Sequence, residues 1–206
     1  MSDWAVPIGQ PLGIASYSDD YAVRTGESIE ELDEFELLAW AATVGTFEDP
    51  PQWLDWELAQ QRVSTAHTLV EPALGAAPGR DYLQRLQQRH VVTRVGKTDL
   101  DVQRFFATHR FQASLVGLWR SPADPNRQFV GFDDDAVLSL GPEAYAVYVE
   151  AAAHPTVQDA CVAVAMRGSP APEQYADRMA RLREAFMGTA RTLVVTGGGF
   201  FDRTVR

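Results

Sequence analysis

Helical periodicity in this chain comes in two runs of three segments, and each run is closed by β-type sequence around a glycine turn. In the first run Asp33 can cap the amide of Glu36, while Phe35, Leu38, Ala39 and Ala42 recur at the i, i+3, i+4, i+7 spacing of a buried helix face, with Gly45 as the stop. A second helix is expected to open at Asp49-Pro50, a cap followed by proline at the first helical position. It would carry Trp56, Ala59, Val63, Ala66 and Val70 inward until Glu71-Pro72 ends it. After the small-residue stretch Gly75 to Gly79, a third helix turns Tyr82, Leu83 and Leu86 inward and leaves Arg85 and Arg89 outside. The period then shortens: Val91–Val95 reads as a strand, Gly96-Lys97 as a tight turn and Thr98–Val102 as the returning strand.

The second half repeats that order. Strands are expected near Ala113–Arg120 and Gln128–Phe132, separated by the turn-rich Ser121–Asn126, and again at Asp135–Leu140. Pro142 starts a helix with Tyr145, Tyr148, Val149 and Ala152 on its apolar face, closed by His154-Pro155. Thr156 caps another, with Val157, Ala160, Cys161, Val164 and Ala165 at the helical period and Gly168 as the stop. A last helix after Pro170 and Pro172 presents Tyr175, Met179, Leu182 and Phe186. Leu193-Val194-Val195, the Gly197–Gly199 turn and Phe200-Phe201 then read as a closing hairpin. The fold class is α+β, with the element order of tandem winged-helix-like repeats, each of about three helices and a small antiparallel sheet. The blocks are placed at residues 1–105 and 106–206, each with enough apolar face for its own small core; the alternative is a single mixed α+β domain.

Charge is unevenly placed. Residues 1–60 carry Arg24 alone against 13 acidic side chains, residues 61–120 carry nine basic and four acidic, and residues 121–206 carry eight and 11. The overall balance of −10 opposes nonspecific nucleic-acid binding. Lys97 is the one lysine among 18 basic residues, a bias that a GC-rich genome explains as readily as a function does. A hydrophobic content of 46% fits a globular chain, no run of about 18 uncharged apolar residues could span a membrane, and Met1-Ser2-Asp3-Trp4 lacks signal-peptide character. A cytoplasmic protein is expected.

Catalytic signatures are scarce. The single Cys161 excludes an intrachain disulfide or a thiolate metal site, and on its apolar helical face it reads as a buried thiol. His67, His90, His109 and His154 show no ligand spacing, so no metal or cofactor is expected; His67 falls near an inner stripe and His154 at a helix end. Asp133-Asp134-Asp135 lacks the calcium-loop pattern and reads as a solvated turn. The three glycines from Gly197 precede no helix that could hold a phosphate, and no G-x-S-x-G elbow is present. Trp56 and Trp40 are assigned to core, with Trp53 left open. The chain is therefore read as a non-enzyme.

Two elements stand above that background. The Arg80–His90 helix holds the place of a recognition helix, and Gln84, Arg85, Gln88 and Arg89, with Lys97 in the following turn, are side-chain types that read bases or phosphates. The acidic first 60 residues would instead neutralise this face, within the molecule or across a homodimer. The second element spans about 40 residues: Phe129-Val130-Gly131, Asp135–Leu140, the Tyr145/Tyr148 helix and Thr156-Val157-Gln158-Asp159-Ala160, with a fainter version in Ile29, Leu32, Phe35 and Trp40. It resembles the small winged-helix peptide-recognition domains of pathways that modify ribosomally made peptides, including the leader-binding chaperone of pyrroloquinoline quinone biosynthesis. The resemblance implies that a peptide adds a strand to the exposed sheet edge and lies against the third helix.

The site is accordingly placed between Asp135, Val137 and Ser139 of the strand and Tyr175, Arg178, Met179, Arg181 and Leu182 of the last helix, where Arg178, Arg181 and Arg183 would meet acidic peptide side chains. The leading expectation is a peptide- or protein-binding adaptor without a membrane partner. A DNA-binding regulator is the alternative, and a structural adaptor resembling the acidic tandem winged-helix subunits of chromosome-condensation complexes is a third.

Overall fold

The computed structural model describes residues 3–14, 21–46, 48–70, 79–169 and 171–204. The expected helix end at Glu71-Pro72, the small-residue stretch up to residue 78, the side chains of Val70 and Arg80, and Pro170 lie outside the described residues. The chain is α+β and divides into two units, residues 1–97 with 201–206 and residues 98–200, rather than at the expected 105/106 boundary.

The first unit contains β1 (Trp4–Pro7), β2 (Gln10–Ile14), β3 (Tyr21–Thr25), β4 (Ser28–Leu32), α1 (Glu34–Val44), α2 (Trp56–Val70), α3 (Gly79–Gln88) and β5 (Val92–Val95). β2, β3 and β4 form an antiparallel meander in that order, and β1 pairs with β5. Helix α1 is capped by Asp33, which accepts from the Glu36 amide, and stops at Gly45 with φ 76°. Its inner face is Glu36, Ala39, Trp40 and Thr43, a rotation away from the expected Phe35, Leu38, Ala39 and Ala42 stripe. Helix α2 begins at Trp56, because the residues before it are already bonded elsewhere: Ala5 N donates to Leu54 O and Trp56 N to Asp3 O, laying this segment beside β1. Ala5, Leu32, Trp40, Trp56, Ala59, Val63, Leu83, Leu86 and Val92 fill the core, and Trp53 is also buried, against Phe201.

The second unit opens with a correction. Thr98–Val102 is the start of a helix, α4 (Asp99–Phe106), in which Thr98 accepts from the Asp101 amide and Val102, Phe105 and Phe106 are buried at helical spacing. There follow β6 (His109–Ala113), β7 (Val116–Arg120), β8 (Gln128–Phe132), β9 (Asp135–Leu140), α5 (Pro142–Ala151), α6 (Val157–Met166), α7 (Pro172–Val195) and β10 (Gly199–Arg203), the chain re-entering the first unit within β10. β7, β8 and β9 form a second antiparallel meander. Leu193–Val195 completes α7, so the expected closing hairpin is a helix end followed by one strand. Helix α6 buries Val157, Ala160, Cys161, Val164 and Ala165 as expected, whereas α5 buries Ala144, Val147, Tyr148 and Ala151 and leaves Val149 exposed.

The first unit runs four strands, three helices and a further strand; after α4 the chain again runs four strands (β6–β9), three helices (α5–α7) and a strand, β10, most of which belongs to the first unit, and local bonds recur about 107 residues apart. Val91 N donates to Leu86 O at 3.0 Å and Gly198 N to Leu193 O at 2.6 Å. The residue before each donor has positive φ, 60° at His90 and 71° at Gly197. In the middle of the first helix of each set, Trp40 Nε1 donates to Ile8 O at 3.4 Å, and the Tyr148 hydroxyl lies 2.8 Å from Leu115 O.

Tyr148 is buried, and its hydroxyl also accepts from Leu115 N at 2.9 Å and lies 2.9 Å from Gly198 O. Tyr148→Phe leaves these groups without that partner, and urea unfolding is expected to show a loss of about 1–3 kcal/mol. Trp40→Phe, which removes one long bond, is expected to lose less through hydrogen bonding.

Candidate functional site

The basic helix face expected to read DNA is largely occupied by the unit's own carboxylates. Arg89 Nη1 donates to Glu36 Oε2 at 2.6 Å, Nε and Nη2 reach Glu30 Oε2 at 3.1 Å, and Nη2 donates to Glu31 O at 2.6 Å. Arg85 lies over the Tyr82 ring, 4.4 Å from its centroid, and 4.0 Å from Glu36. Lys97 bonds Asp55, Arg94 Nε donates to Asp3 at 2.6 Å, and Arg62 forms a two-pronged pair with Asp49. Gln84 and Gln88 are exposed. Gln84 joins Trp56, Glu57, Gln60, Gln87 and Arg94 around an open cavity of about 380 Å³, a grouping from two helices and a strand that sequence spacing did not reveal.

The expected peptide site separates into two places. Helix α7 packs on α4, α5 and α6. Arg178, Arg181 and Leu182 line a cavity of about 220 Å³ together with Pro142, Glu143 and Ala146 of α5 and Val164 of α6. Asp135, Val137 and Ser139 are not among its lining residues. Met179 is buried core and Tyr175 half-buried. Arg178 Nη1 donates to Arg167 O at 2.8 Å, bonding the carbonyl just past α6. Arg183, expected to face an acidic peptide, is buried and clamps Asp99 through bonds of 2.6 and 2.5 Å.

The strand half of the site stands at an outer position of its sheet. β9 follows β8 in the order β7-β8-β9, and Asp135, Ala136 and Val137 are exposed. The register slips between Val130 and Gly131: Val130 faces Leu138 while Gly131 faces Ala136, a bulge that leaves Val137 over. Only glycine fits at 131, because a side chain there would run into the Asp135 carbonyl. Exposed apolar side chains occur on all three strands: Val137 (41% exposed) on β9, Phe132 on β8, and on the opposite outer strand β7 Val116 and Trp119 (43%), whose ring is tilted 6.1 Å from that of Phe129. Arg127, ahead of β8, reaches across to Ser139, donating from Nη2 to the carbonyl at 2.6 Å and from Nε and Nη2 to the hydroxyl at 3.2 and 3.0 Å.

The remaining groups have structural surroundings. Cys161 is buried, and desolvation pushes its thiol up to about 12, the protonated form at neutral pH. His67 is buried between the Phe35 and Tyr82 rings, and His109 is buried with Nδ1 2.9 Å from Phe105 O. His154 lies 3.1 Å from Glu150. Among the described residues no group of three His, Cys, Asp or Glu is placed to hold a metal ion, and no helix is long and apolar enough to cross a membrane.

No family model, curated protein or solved structure matches the chain.

Two outcomes follow from the carboxylate pairs. Arg89→Ala strands Glu36, which is 6% exposed, and is expected to cost about 2 kcal/mol or more in urea unfolding, with Glu36→Gln in the same background recovering part of it. The guanidinium of Arg62 holds the Asp49 carboxyl well below the usual carboxylate range. A depressed folded value gives stability that is present above about pH 4 and lost as pH falls. Asp49→Asn should therefore flatten the acid limb of the stability profile below that pH.

Proposed function

We propose that this chain is a cytoplasmic peptide- or protein-binding adaptor whose partner engages the β9 side of the second meander. The observation that carries the reading is the exposed outer strand: three successive residues, Asp135, Ala136 and Val137, are open at the sheet edge, with exposed Phe132 of β8 paired to Asp135. An edge strand offers unpaired amides and carbonyls to an extended chain, and the neighbouring apolar side chains give it register. This is the mode implied by the resemblance to leader-peptide recognition domains. The α5/α6/α7 cavity, with Arg178 and Arg181, is a separate feature and supplies no part of the strand surface.

The regulator reading draws on Gln84, Arg85, Gln88, Arg89 and Lys97, of which Arg89 and Lys97 already bind carboxylates of their own unit. Phosphate contacts by these two would need those pairs to open.

The test is an amide-shift titration of isotope-labelled protein, first with peptides selected from a random extended-peptide display library and then with duplex DNA at low salt. Shifts concentrated over Asp135–Leu140 with peptide, and none with DNA, are expected. A display that enriches nothing over empty support, or DNA shifts over α3, overturns the reading.

A further inference from the structure

The two meanders place an arginine on the same carbonyl. Counting back from the buried leucine that ends each outer strand, Leu32 in β4 and Leu140 in β9, the penultimate residue is Glu31 in one and Ser139 in the other. Glu31 pairs with Ala22 of the middle strand and Ser139 with Phe129, equivalent positions in the two registers. Glu31 O accepts from Arg89 at 2.6 Å and Ser139 O from Arg127 at 2.6 Å. The arginines come from different places in the chain, and they are held very differently.

Arg89 rises from the end of α3 and is gripped by two carboxylates, Glu30 and Glu36, the second of them buried. Releasing it would strand a charge inside the first unit. Arg127 sits in an exposed turn tied by Arg127 N to Asp124 O and by Ser121 N to Arg127 O. Its guanidinium bonds only Ser139 among the described residues. The exposed acidic run Asp133, Asp134 and Asp135 stands at the opposite end of β9 from Ser139, uncompensated by any ion pair among the described residues.

We propose that Arg127 is a displaceable latch on the β9 edge. The occupant that replaces it is an extended segment of another polypeptide, running antiparallel to β9, with alternating apolar residues and a basic C-terminal end set against Asp133–Asp135. The equivalent β4 position is held shut by its carboxylate-bound arginine, so the chain takes one such segment and not two. This rests on the reading of β9 as the partner edge. The charge assignment follows from geometry: an antiparallel segment brings its C-terminal end to the start of β9, where the three aspartates are. A guanidinium on an edge acceptor also discourages unwanted edge-to-edge pairing, and its removal frees that acceptor for a partner amide.

The probe is a fluorescein-labelled synthetic peptide of alternating valine and threonine ending in two lysines. Controls are the same peptide ending in two glutamates and one N-methylated at alternate amides. Binding is read by anisotropy to the full chain and to Arg127→Ala, with the thermal midpoint of the variant confirming that it is folded. The lysine-ended peptide is expected to bind the parent, to bind Arg127→Ala roughly fivefold more tightly because one competing hydrogen bond is gone, and to lose binding on N-methylation. The glutamate-ended peptide is expected to bind more weakly, with the difference reduced in Asp133→Asn/Asp134→Asn. Equal affinity of parent and variant, with amide shifts still over β9, overturns the latch and leaves the edge reading standing. Absence of binding to both proteins, or shifts elsewhere, overturns the edge reading itself. Peptide-independent dimerisation of Arg127→Ala would make a second copy the occupant and overturn the assigned partner.

Discussion

The first unit is organised around the guanidinium of Arg89. One planar group with five donors ties the outer strand β4, the first helix and the third helix together through Glu30, the Glu31 carbonyl and Glu36. Burying Glu36 would be costly without it, and with it α1 turns so that a carboxylate occupies a position an apolar residue would otherwise take. The same rotation brings Phe35 to the edge of the core, where it stacks on His67 beside Tyr82. The acidic opening third of the sequence and the basic segment after it therefore act on one another. Asp3, Glu30, Glu36, Asp49 and Asp55 each meet a cation from between residues 62 and 97.

After α4, the second unit runs through four strands and three helices as the first does, held by other means. Helix α5 is fixed by the Tyr148 hydroxyl rather than by an indole, and the core of the unit is bound by aromatic contacts among Phe106, Phe111 and Phe186. An ion pair reaching into its interior joins Arg183 to Asp99 at the start of α4. At the edge of its meander the arginine on the penultimate carbonyl is held by Ser139 rather than by carboxylates. Two similar scaffolds can differ in which surface is open to solvent without differing in topology.

Several elements were legible from the residues alone. Helix α6 follows its apolar period residue for residue because Thr156 caps it and nothing polar intrudes on its inner face, and β8 and β9 have the expected bounds. The four strands before Asp33 were not read: they are four or five residues long and interrupted by Pro7, Gly9, Pro11 and Gly13. Thr98–Val102 looks β-branched at its ends, but the capping contact with Asp101 outweighs that preference. The charge-reading face of α3 was visible as residue types, whereas its partners lie far back in the sequence and only folding brings them near. Arg127 escaped notice for the same reason, since its role is set by a turn and a strand 12 residues on.

The bulge at Gly131 and Ala136 bears on how long any contact along β9 could last. A regular ladder extends its pairing two residues at a time, and an extra residue in the strand being copied breaks that rhythm. A strand laid along β9 from Ser139 towards Asp133–Asp135 has to pass Val137, and it needs an irregularity of its own there, so regular pairing is confined to the residues on either side. The usable template is thus a few residues long, which limits the number of simultaneous hydrogen bonds and favours short residence times. Such an edge is suited to handing a chain onward more than to keeping it, and it also gives growing β-aggregates little to copy.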